Sequence, residues 1–213
     1  MRTLAVLPVK SFGLAKQRLG AAVGVDERRA LARAMAADVL EALGRVAGLH
    51  GVVVVTAEAL ELRGAGIEEV HDPEEAGQSA AALRGIRVAV ARGAERVLLV
   101  PGDCPALEPA EVDALLADPH DGVVIVPDRH GTGTNALLLA PPAVMEPAFG
   151  PGSLARHAAL AGPLGRIAEL SSLGLDVDTP GDLAALRAAL AARPGRAPRT
   201  RALLEGRAAP HAA

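Results

Sequence analysis

Short apolar runs alternate with longer segments of helical periodicity along this chain, and this alternation constrains its fold more than any other feature. Five such runs end at Pro, Gly or Asp, as buried strands commonly do. The segment 26–46 carries apolar residues at helical spacing behind two acidic residues, which predicts a helix, and 79–92 is predicted to form another. The predicted strands are TLAVLPV, GVVVVTA, RVLLVPG, GVVIVPD and NALLLA.

Alternating strands and helices predict crossover units, and therefore an α/β fold in which a largely parallel sheet is covered by helices on both faces. In open sheets of this kind, ligands bind outside the carboxyl ends of the strands. A functional site is therefore expected in the loops that follow Val9, Val100 and Val126 and in the segment around Asp176.

Composition narrows the class of protein. We predict a single domain over 1–190 and an Arg/Pro/Ala-rich tail over 191–213 that is disordered. The net charge of −3 gives no basic field for nucleic acid, and no apolar run reaches the roughly 18–20 residues that a membrane span needs. Cys104 is the single cysteine, which excludes an internal disulfide and suits a reducing compartment. We therefore expect a cytoplasmic protein that binds neither nucleic acid nor membrane.

The loop after the first predicted strand, in PVKSFGLAKQRL, concentrates positive charge. The chain has 22 basic residues, of which only Lys10 and Lys16 are lysines, and both lie in this loop with Arg18. Backbone amides and ammonium groups between a strand and a helix can hold a polyphosphate, and lysine suits a flexible phosphate. A solvated surface loop would have the same spacing, so the residues alone leave both interpretations open.

Aspartates follow the other predicted strands. Asp103, in VLLVPGDCPALEP, could bind the magnesium that accompanies a nucleoside triphosphate, or could cap its own turn. In LGLDVDTPGDL, Thr179 and Asp182 predict a capped helix start, which leaves Asp176 and Asp178 available. Magnesium needs only one or two protein carboxylates when phosphate supplies further oxygens. We prefer Asp176 as the second ligand, because Asp178 is close enough to the helix start to be used there.

Two glycine-rich segments, DRHGTGTNALLL and PAFGPGSLARH, form the last pattern. In the second, Ser153 is expected to open a short helix, and a helix N-terminus with a hydroxyl cap can bind an anion. A plain N-cap is the alternative role for Ser153. A second phosphate-sized site opposite a triphosphate loop is what a transferase with a phosphorylated acceptor needs. Cys104 and three histidines at loop edges are expected to be structural: His71, His130 and His157.

Taken in order, PVKSFGLAKQRL, PGDCPAL, PDRHGTGTNALLL, FGPGS and DVDTPGDL resemble the 2-phospholactate or phosphoenolpyruvate guanylyltransferases of coenzyme F-420 biosynthesis, known as CofC or FbiD. The resemblance extends from about Leu4 to Leu190. DRHGTGTN together with FGPGS is its specific part, whereas PVK…AKQRL and DVDTP also occur in other nucleotidyltransferases. The resemblance implies a single-domain, Rossmann-like nucleotidyltransferase with a mixed, mostly parallel sheet that uses GTP and magnesium.

The resemblance also assigns roles to residues of this chain. It implies that Asp103 and Asp176 bind the metal, with Asp178 as the alternative. The glycine-rich entrance of the superfamily is reduced here to Gly13, so the phosphate grip and the catalysis depend on the basic residues of the first loop. The basic residues of that loop are Lys10, Lys16 and Arg18. The resemblance assigns acceptor binding to Thr134, Gly150 and Ser153. It places Gln78 and Ser79 near the guanine base.

The substrates implied by the resemblance are GTP and a three-carbon phosphate, either phosphoenolpyruvate or 2-phospho-L-lactate, with 3-phosphoglycerate as a third acceptor to test. A transient contact with the downstream deazaflavin transferase is a further expectation, because the product is an activated phosphodiester. Two other functions stay open from the sequence. One is a different cofactor nucleotidyltransferase, similar to the molybdopterin guanylyl- or cytidylyltransferases, and the other is a non-catalytic nucleotide-binding scaffold.

Overall fold

The computed structural model describes residues 1–12, 16, 19, 24–58 and 66–206. Within these residues the chain forms strands that alternate with helices in most of its length, as the apolar runs predict. The strands are β1 (Thr3–Val9), β2 (Val52–Thr56), β3 (Ile67–His71), β4 (Arg96–Leu99), β5 (Gly122–Pro127), β6 (Thr134–Ala140) and β7 (Gly165–Ile167). The helices are α1 (Val25–Leu43), α2 (Gln78–Ala91), α3 (Pro109–Ala117), α4 (Ser153–Ala161), α5 (Pro180–Ala191) and α6 (Pro198–Leu204).

The strands form one mixed sheet in the order β3-β2-β1-β4-β6-β5-β7. Neighbours are parallel from β3 to β4 and between β5 and β7, whereas β6 runs antiparallel to both β4 and β5. The predicted α/β fold with a mostly parallel sheet is confirmed. Because β6 is reversed, its amino end lies at the same edge of the sheet as the carboxyl ends of β1, β4 and β5. Thr134 and Asn135 are thereby placed at the edge where ligands bind in such folds.

All five predicted strands and both predicted helices are present. The apolar runs did not predict β3 or β7, because β3 is a partly exposed strand with two glutamates and β7 has only three residues. Both are terminal strands of the sheet, where one side has no partner strand to favour an apolar sequence.

The core consists of two apolar layers, one on each face of the sheet. Alternate residues of β1 point to opposite faces, so Leu7 packs with α1 and α3, while Val6 packs with α2. Gly85 of α2 lies against β1, and a Cβ atom there would be 2.3 Å from Val6 Cγ1, so only glycine allows this close contact between helix and sheet. The aliphatic composition is sufficient for this packing.

The expectation of a disordered tail is wrong for its described part. Residues 198–204 form α6, which packs against α1. The amides of Arg199 and Thr200 donate to the buried carboxylate of Asp38, at 3.2 Å and 2.7 Å. A seven-residue helix is too short for its periodicity to be recognised, and the partner that fixes it is more than 150 positions away. Residues 207–213 lie outside the described part. No helix among the described residues has the length and apolar character of a membrane span.

Candidate active site

The two lysines of the first loop occupy different environments. Lys10 follows β1 and is exposed. Lys16 is turned inward, with 8% of its side chain exposed, and its Nζ lies 2.5 Å from Asp103 Oδ2 and 3.1 Å from Asp178 Oδ1. These two carboxylates outweigh burial and raise the pKa of Lys16 above its ordinary value, so the side chain is charged. Arg18 and Gly13, which the sequence placed in the same phosphate grip, lie outside the described residues.

The backbone amides of the first loop bind carboxylates from another part of the chain. Ser11 N donates to Glu75 Oε1 at 2.6 Å, and Phe12 N donates to Glu58 Oε1 at 2.8 Å. Two anionic groups therefore occupy successive amides at the carboxyl end of β1. The sequence predicted that this loop binds an anion, but it gave no indication that two glutamates of the chain would do so.

Three aspartates meet at the carboxyl edge of the sheet. Val177 N donates to the carbonyl of Asp103 at 3.2 Å, which holds the segment containing Asp176 and Asp178 beside the loop after β4. Asp176 is partly buried, and its carboxylate accepts a hydrogen bond from Asn135 Nδ2 at 3.2 Å. Burial, and then the negative charges of Asp103 and Asp178, raise the pKa of Asp176 to about 6. Among the described residues, this cluster therefore carries more negative than positive charge at neutral pH.

The donor set of this cluster fits magnesium. Within the described residues, no group of three or more His, Cys, Asp or Glu side chains has the arrangement of a complete metal site. An all-protein cage is not required, because one or two carboxylates with phosphate oxygens and water satisfy magnesium. Burial is the largest cause of the raised pKa of Asp176, and a divalent cation at Asp103 and Asp176 would relieve the second cause, the repulsion between the carboxylates. The assignment of Asp103 and Asp176 as metal ligands stays a prediction, and the chemistry of their carboxylates is suited to it.

Asp178 contributes both to the carboxylate cluster and to the start of α5, which the sequence analysis treated as alternatives. The predicted helix start is present, since Thr179 Oγ1 accepts from Asp182 N at 3.2 Å and Asp182 Oδ2 accepts from Thr179 N at 2.7 Å. The backbone amide of Asp178 also donates to Asp182 Oδ2, at 3.1 Å. Its side chain is directed to Lys16 instead. Proximity to the helix start therefore did not remove Asp178 from the carboxylate cluster.

A cavity of about 310 Å³ opens at this edge of the sheet, between α1 and α2. Its size is at the lower end of the range for small-molecule sites. Predicted site residues in its lining are Lys10, Lys16, Gln78, Asp103 and Asp178. Ser79 is not one of its lining residues. The Ser79 hydroxyl instead accepts the amide hydrogen of Phe149 at 2.9 Å and so supports a neighbouring loop.

The two glycine-rich segments lie together beside this edge, outside the lining of the cavity. Leu154 N donates to the carbonyl of Thr132 at 3.2 Å, and His157 Nδ1 lies 2.9 Å from Thr134 Oγ1. Ser153 is the first residue of α4, as predicted, and is buried. The N-cap residue is Gly152, however, so the expectation that the Ser153 hydroxyl caps the helix is wrong. These contacts bring Thr134 of the first segment into one region with Gly150 and Ser153 of the second.

The guanidinium of Arg156 organises the loop before α4. It donates to the carbonyls of Ala148, Phe149 and Pro151. In a trans peptide the carbonyl and the following N–H point in opposite directions, so the N–H groups of Gly150 and Gly152 are directed away from this cation. Gly150 has φ +113° and Gly152 has φ +70°, which favour glycine at both positions.

Some residues of the site carried little signal in the sequence. Asn135 connects the glycine-rich segment to Asp176, and it also donates to the carbonyl of Leu173 at 2.7 Å. The clue was an amide side chain at the start of an otherwise apolar strand, where a buried polar group needs a partner. Cys104 is buried and its Sγ contacts Leu173 O at 3.3 Å, so its expected structural role is confirmed.

Replacement of Asp176 by asparagine is expected to stabilise the metal-free protein. Its folded-state pKa, about 6, is above the ordinary value of 3.8, so stability is lost as the pH rises through 6. At pH 8 Asp176→Asn should raise the free energy of unfolding by about 1–2 kcal/mol, a value reduced for partial exposure. Urea denaturation in EDTA measures this. The gain should vanish near pH 4, and the exposed Asp121→Asn should show none; a less stable Asp176→Asn at pH 8 would contradict the charge argument.

Comparison with protein families places the chain among nucleotidyltransferases. The model of the family described as CofC-like guanylyl transferases matches residues 3–188. The phosphoenolpyruvate guanylyltransferase of Conexibacter woesei is 51% identical over 213 residues, which cover 96% of this chain and 96% of that protein. The phosphoenolpyruvate guanylyltransferase of Sphaerobacter thermophilus is 40% identical over 190 residues, which cover 86% of this chain and 91% of that protein.

Solved structures with low sequence identity share the fold. A protein from Desulfovibrio desulfuricans G20, assigned to the nucleotide-diphospho-sugar transferases, superposes with a TM-score of 0.70 at 20% identity, over 97% of this chain and 95% of its own. A Methanothermobacter nucleotidyl transferase superposes with a TM-score of 0.62 at 20% identity, over 90% of this chain and 99% of its own. At this identity the likeness is one of fold alone.

Proposed function

Because this chain belongs to the family of CofC-like guanylyl transferases, we propose that it joins the GMP unit of GTP to phosphoenolpyruvate and releases pyrophosphate. Phosphoenolpyruvate is the first choice of acceptor, because the relatives with 51% and 40% identity are named for it. 2-Phospho-L-lactate carries the same phosphate and carboxylate and is the alternative. From the resemblance to CofC or FbiD, we propose that either reaction serves coenzyme F-420 biosynthesis in the cytoplasm.

One observation supports this proposal above the others. Two consecutive residues of β6 join the two predicted substrate regions: Asn135 contacts Asp176 in the charged cluster, while Thr134 contacts the segment that contains Gly150 and Ser153. A nucleotide in the cavity beside Lys16 and an acceptor phosphate beside Thr134 would then approach each other along the edge of the sheet. Positioning of two anions is the main task of a phosphate-transfer enzyme.

The proposed reaction is an in-line substitution at phosphorus. An oxygen of the acceptor phosphate forms a bond to the α-phosphorus of GTP, the bond from that phosphorus to the oxygen bridging to the β-phosphorus breaks, and the electron pair leaves with pyrophosphate. A phosphate monoester has a second pKa of about 6, so the acceptor is mostly dianionic at neutral pH. No side chain has to remove a proton, which agrees with the absence of a general base from the set of residues predicted for the site.

The roles of the basic residues follow from their positions. Lys16 is charged and adjoins the cavity, so it is assigned to the triphosphate, and the exposed Lys10 to the outer phosphates. Gln78 is assigned to the guanine base, because it lines the same cavity, and Ser79 supports the loop beside it. Magnesium, held by Asp103 and Asp176 with Asp178 nearby, would neutralise phosphate charge when bound. Arg18 stays a predicted phosphate ligand from the sequence alone.

The product would be an activated diphosphate that hydrolyses readily. We expect the next enzyme to be a transferase that consumes this product, such as the downstream deazaflavin transferase. Transient contact between the two proteins would limit that hydrolysis.

Pyrophosphate release by the purified protein tests the proposal. With magnesium, each of GTP, ATP and CTP is combined with phosphoenolpyruvate, 2-phospho-L-lactate and 3-phosphoglycerate, with Asp103→Asn as the blank. We expect release with GTP and phosphoenolpyruvate, and a loss of release in the blank. Turnover of phospholactate alone would transfer the assignment to that acceptor.

Two outcomes would overturn the proposed reaction. Turnover of a pterin phosphate, with none of any three-carbon phosphate, would indicate a molybdopterin-type nucleotidyltransferase. GTP binding by calorimetry without pyrophosphate release, even with the downstream transferase present, would indicate a scaffold.

A further inference from the structure

The hydrogen bonds of the buried side chain of His157 determine which of its nitrogens carries the proton. Ala148 N donates to His157 Nε2 at 2.8 Å, so Nε2 must be the unprotonated, accepting nitrogen. In a neutral imidazole the proton is then on Nδ1. His157 Nδ1 is 2.9 Å from Thr134 Oγ1, and therefore Nδ1–H donates to the hydroxyl oxygen of Thr134.

The surroundings of His157 keep the ring neutral and fixed in orientation. The side chain has 0% exposure, and its ring meets that of Phe149 edge-on, with the centroids 5.1 Å apart at 78°. Burial, and then the positive charge of Arg156, lower the pKa of His157 to about 4. A doubly protonated ring could not accept the Ala148 N–H, so the geometry and the charge state agree.

We propose that His157 is a positioning residue which fixes the hydroxyl of Thr134 as a hydrogen-bond donor toward the anionic group of the acceptor. A hydroxyl has one proton, and an oxygen that accepts from His157 has to direct that proton elsewhere. Across the described part of the chain, no hydrogen bond from Thr134 Oγ1 to another protein group is formed. Phosphate and carboxylate oxygens only accept, so a hydroxyl set as a donor is complementary to them.

This inference rests on the proposed function, because it takes the anion beside Thr134 to be the phosphorylated acceptor. It adds His157 to the residues that the resemblance assigned to acceptor binding. It also specifies that Nδ1 of His157 donates a hydrogen bond and that Nε2 accepts one. The same side chain also fixes Ala148, the residue whose carbonyl is held by Arg156. The two hydrogen bonds of His157 must therefore be separated by experiment.

Two substitutions separate them. His157→Gln can place an amide oxygen near Nε2 and accept from Ala148, but it has no donor at the position of Nδ1. His157→Asn can place an amide N–H near Nδ1 and donate to Thr134, but it leaves the Ala148 amide without its partner. Loss of one hydrogen bond to a charged group changes binding by about tenfold or more. We expect His157→Gln to raise the KM for phosphoenolpyruvate about tenfold, with an unchanged KM for GTP and a nearly unchanged Tm.

The second variant and the double mutant are the controls. His157→Asn should keep the acceptor KM within about twofold of the wild type while its Tm falls, because its loss is structural. In a Thr134→Val background, His157→Gln should have no further effect on the acceptor KM, since the hydroxyl is already absent. The opposite pattern, with acceptor binding lost in His157→Asn and kept in His157→Gln, would overturn the proposal and assign His157 to the loop alone.

A measurement without turnover tests the same hydrogen bonds. Long-range ¹H–¹⁵N correlation spectra distinguish a protonated from an unprotonated imidazole nitrogen, and the signal of His157 is the one missing from His157→Gln. We expect protonation at Nδ1 alone between pH 6 and 8; a proton on Nε2 would overturn the inference. If the wild type releases no pyrophosphate with any acceptor, the proposed function fails independently. Calorimetric binding of phosphoenolpyruvate to the same variants then replaces KM as the readout.

Discussion

Replacement of Asp103 by asparagine is expected to lower kcat for pyrophosphate release by about a thousandfold or more, because a metal ion typically contributes several kcal/mol of charge stabilisation in the transition state. The substitution removes one negative charge and keeps the size of the side chain. It leaves the backbone carbonyl of Asp103 available to Val177 N, and Lys16 keeps its contact with Asp178. The loss should therefore be chemical rather than structural, and steady-state kinetics with magnesium measures it.

The matched control for this prediction is Asp121→Asn, the same chemical change at an exposed position in the loop before β5. It should leave kcat within twofold of the wild type, on the order of the error of such assays. Circular dichroism and thermal unfolding should show that Asp103→Asn is folded. A kcat within about tenfold of the wild type would contradict a role for this carboxylate in metal binding or charge neutralisation.

The sheet could be predicted from the sequence because buried strands are continuous apolar runs with clear ends. The start of α5 could also be predicted, since the residues that cap it, Thr179, Pro180 and Asp182, lie within four positions of the chain. Both are local patterns, in which the residues that determine the structure are neighbours along the chain. The terminal strand β3 escaped prediction because charged residues interrupt its apolar pattern.

The pairing of charges across the site could not be predicted, because it joins residues that are far apart in sequence. Lys16 and Asp103 are 87 positions apart, and Asn135 and Asp176 are 41 apart. Their contacts arise from the sheet order, above all from the reversed strand β6, which no local pattern specifies. For the same reason the sequence treated Lys10 and Lys16 alike, although one is exposed and the other lies between two carboxylates.

The replacement of Lys16 by methionine is expected to reduce both stability and activity. It removes the cation between Asp103 and Asp178, and it leaves these carboxylates and Asp176 with their repulsion uncompensated. Loss of one partner of a buried ion pair is costly, but the Asp178 side chain is 46% exposed, so water screens part of the effect. We expect the free energy of unfolding in EDTA at pH 8 to fall by about 1–2 kcal/mol, measured by urea denaturation.

The same substitution should lower kcat/KM for GTP by about a hundredfold, as expected for the loss of charge-assisted hydrogen bonds to phosphate. Lys10→Met is the matched control for the stability measurement, because it makes the same chemical change in the same loop at an exposed position. Its stability should change by no more than about 0.5 kcal/mol.

The direction of two further effects identifies the cause of the Lys16 result. As the pH falls below 6, Asp176 becomes protonated, and the difference in stability between Lys16→Met and the wild type should shrink. Added magnesium should stabilise Lys16→Met more than the wild type, because a divalent cation replaces the missing charge among the same carboxylates. A difference that is independent of both pH and magnesium would mean that Lys16 acts through packing. Such a result would also mean that repulsion among the three carboxylates does not lower stability, which would disagree with the raised pKa of Asp176.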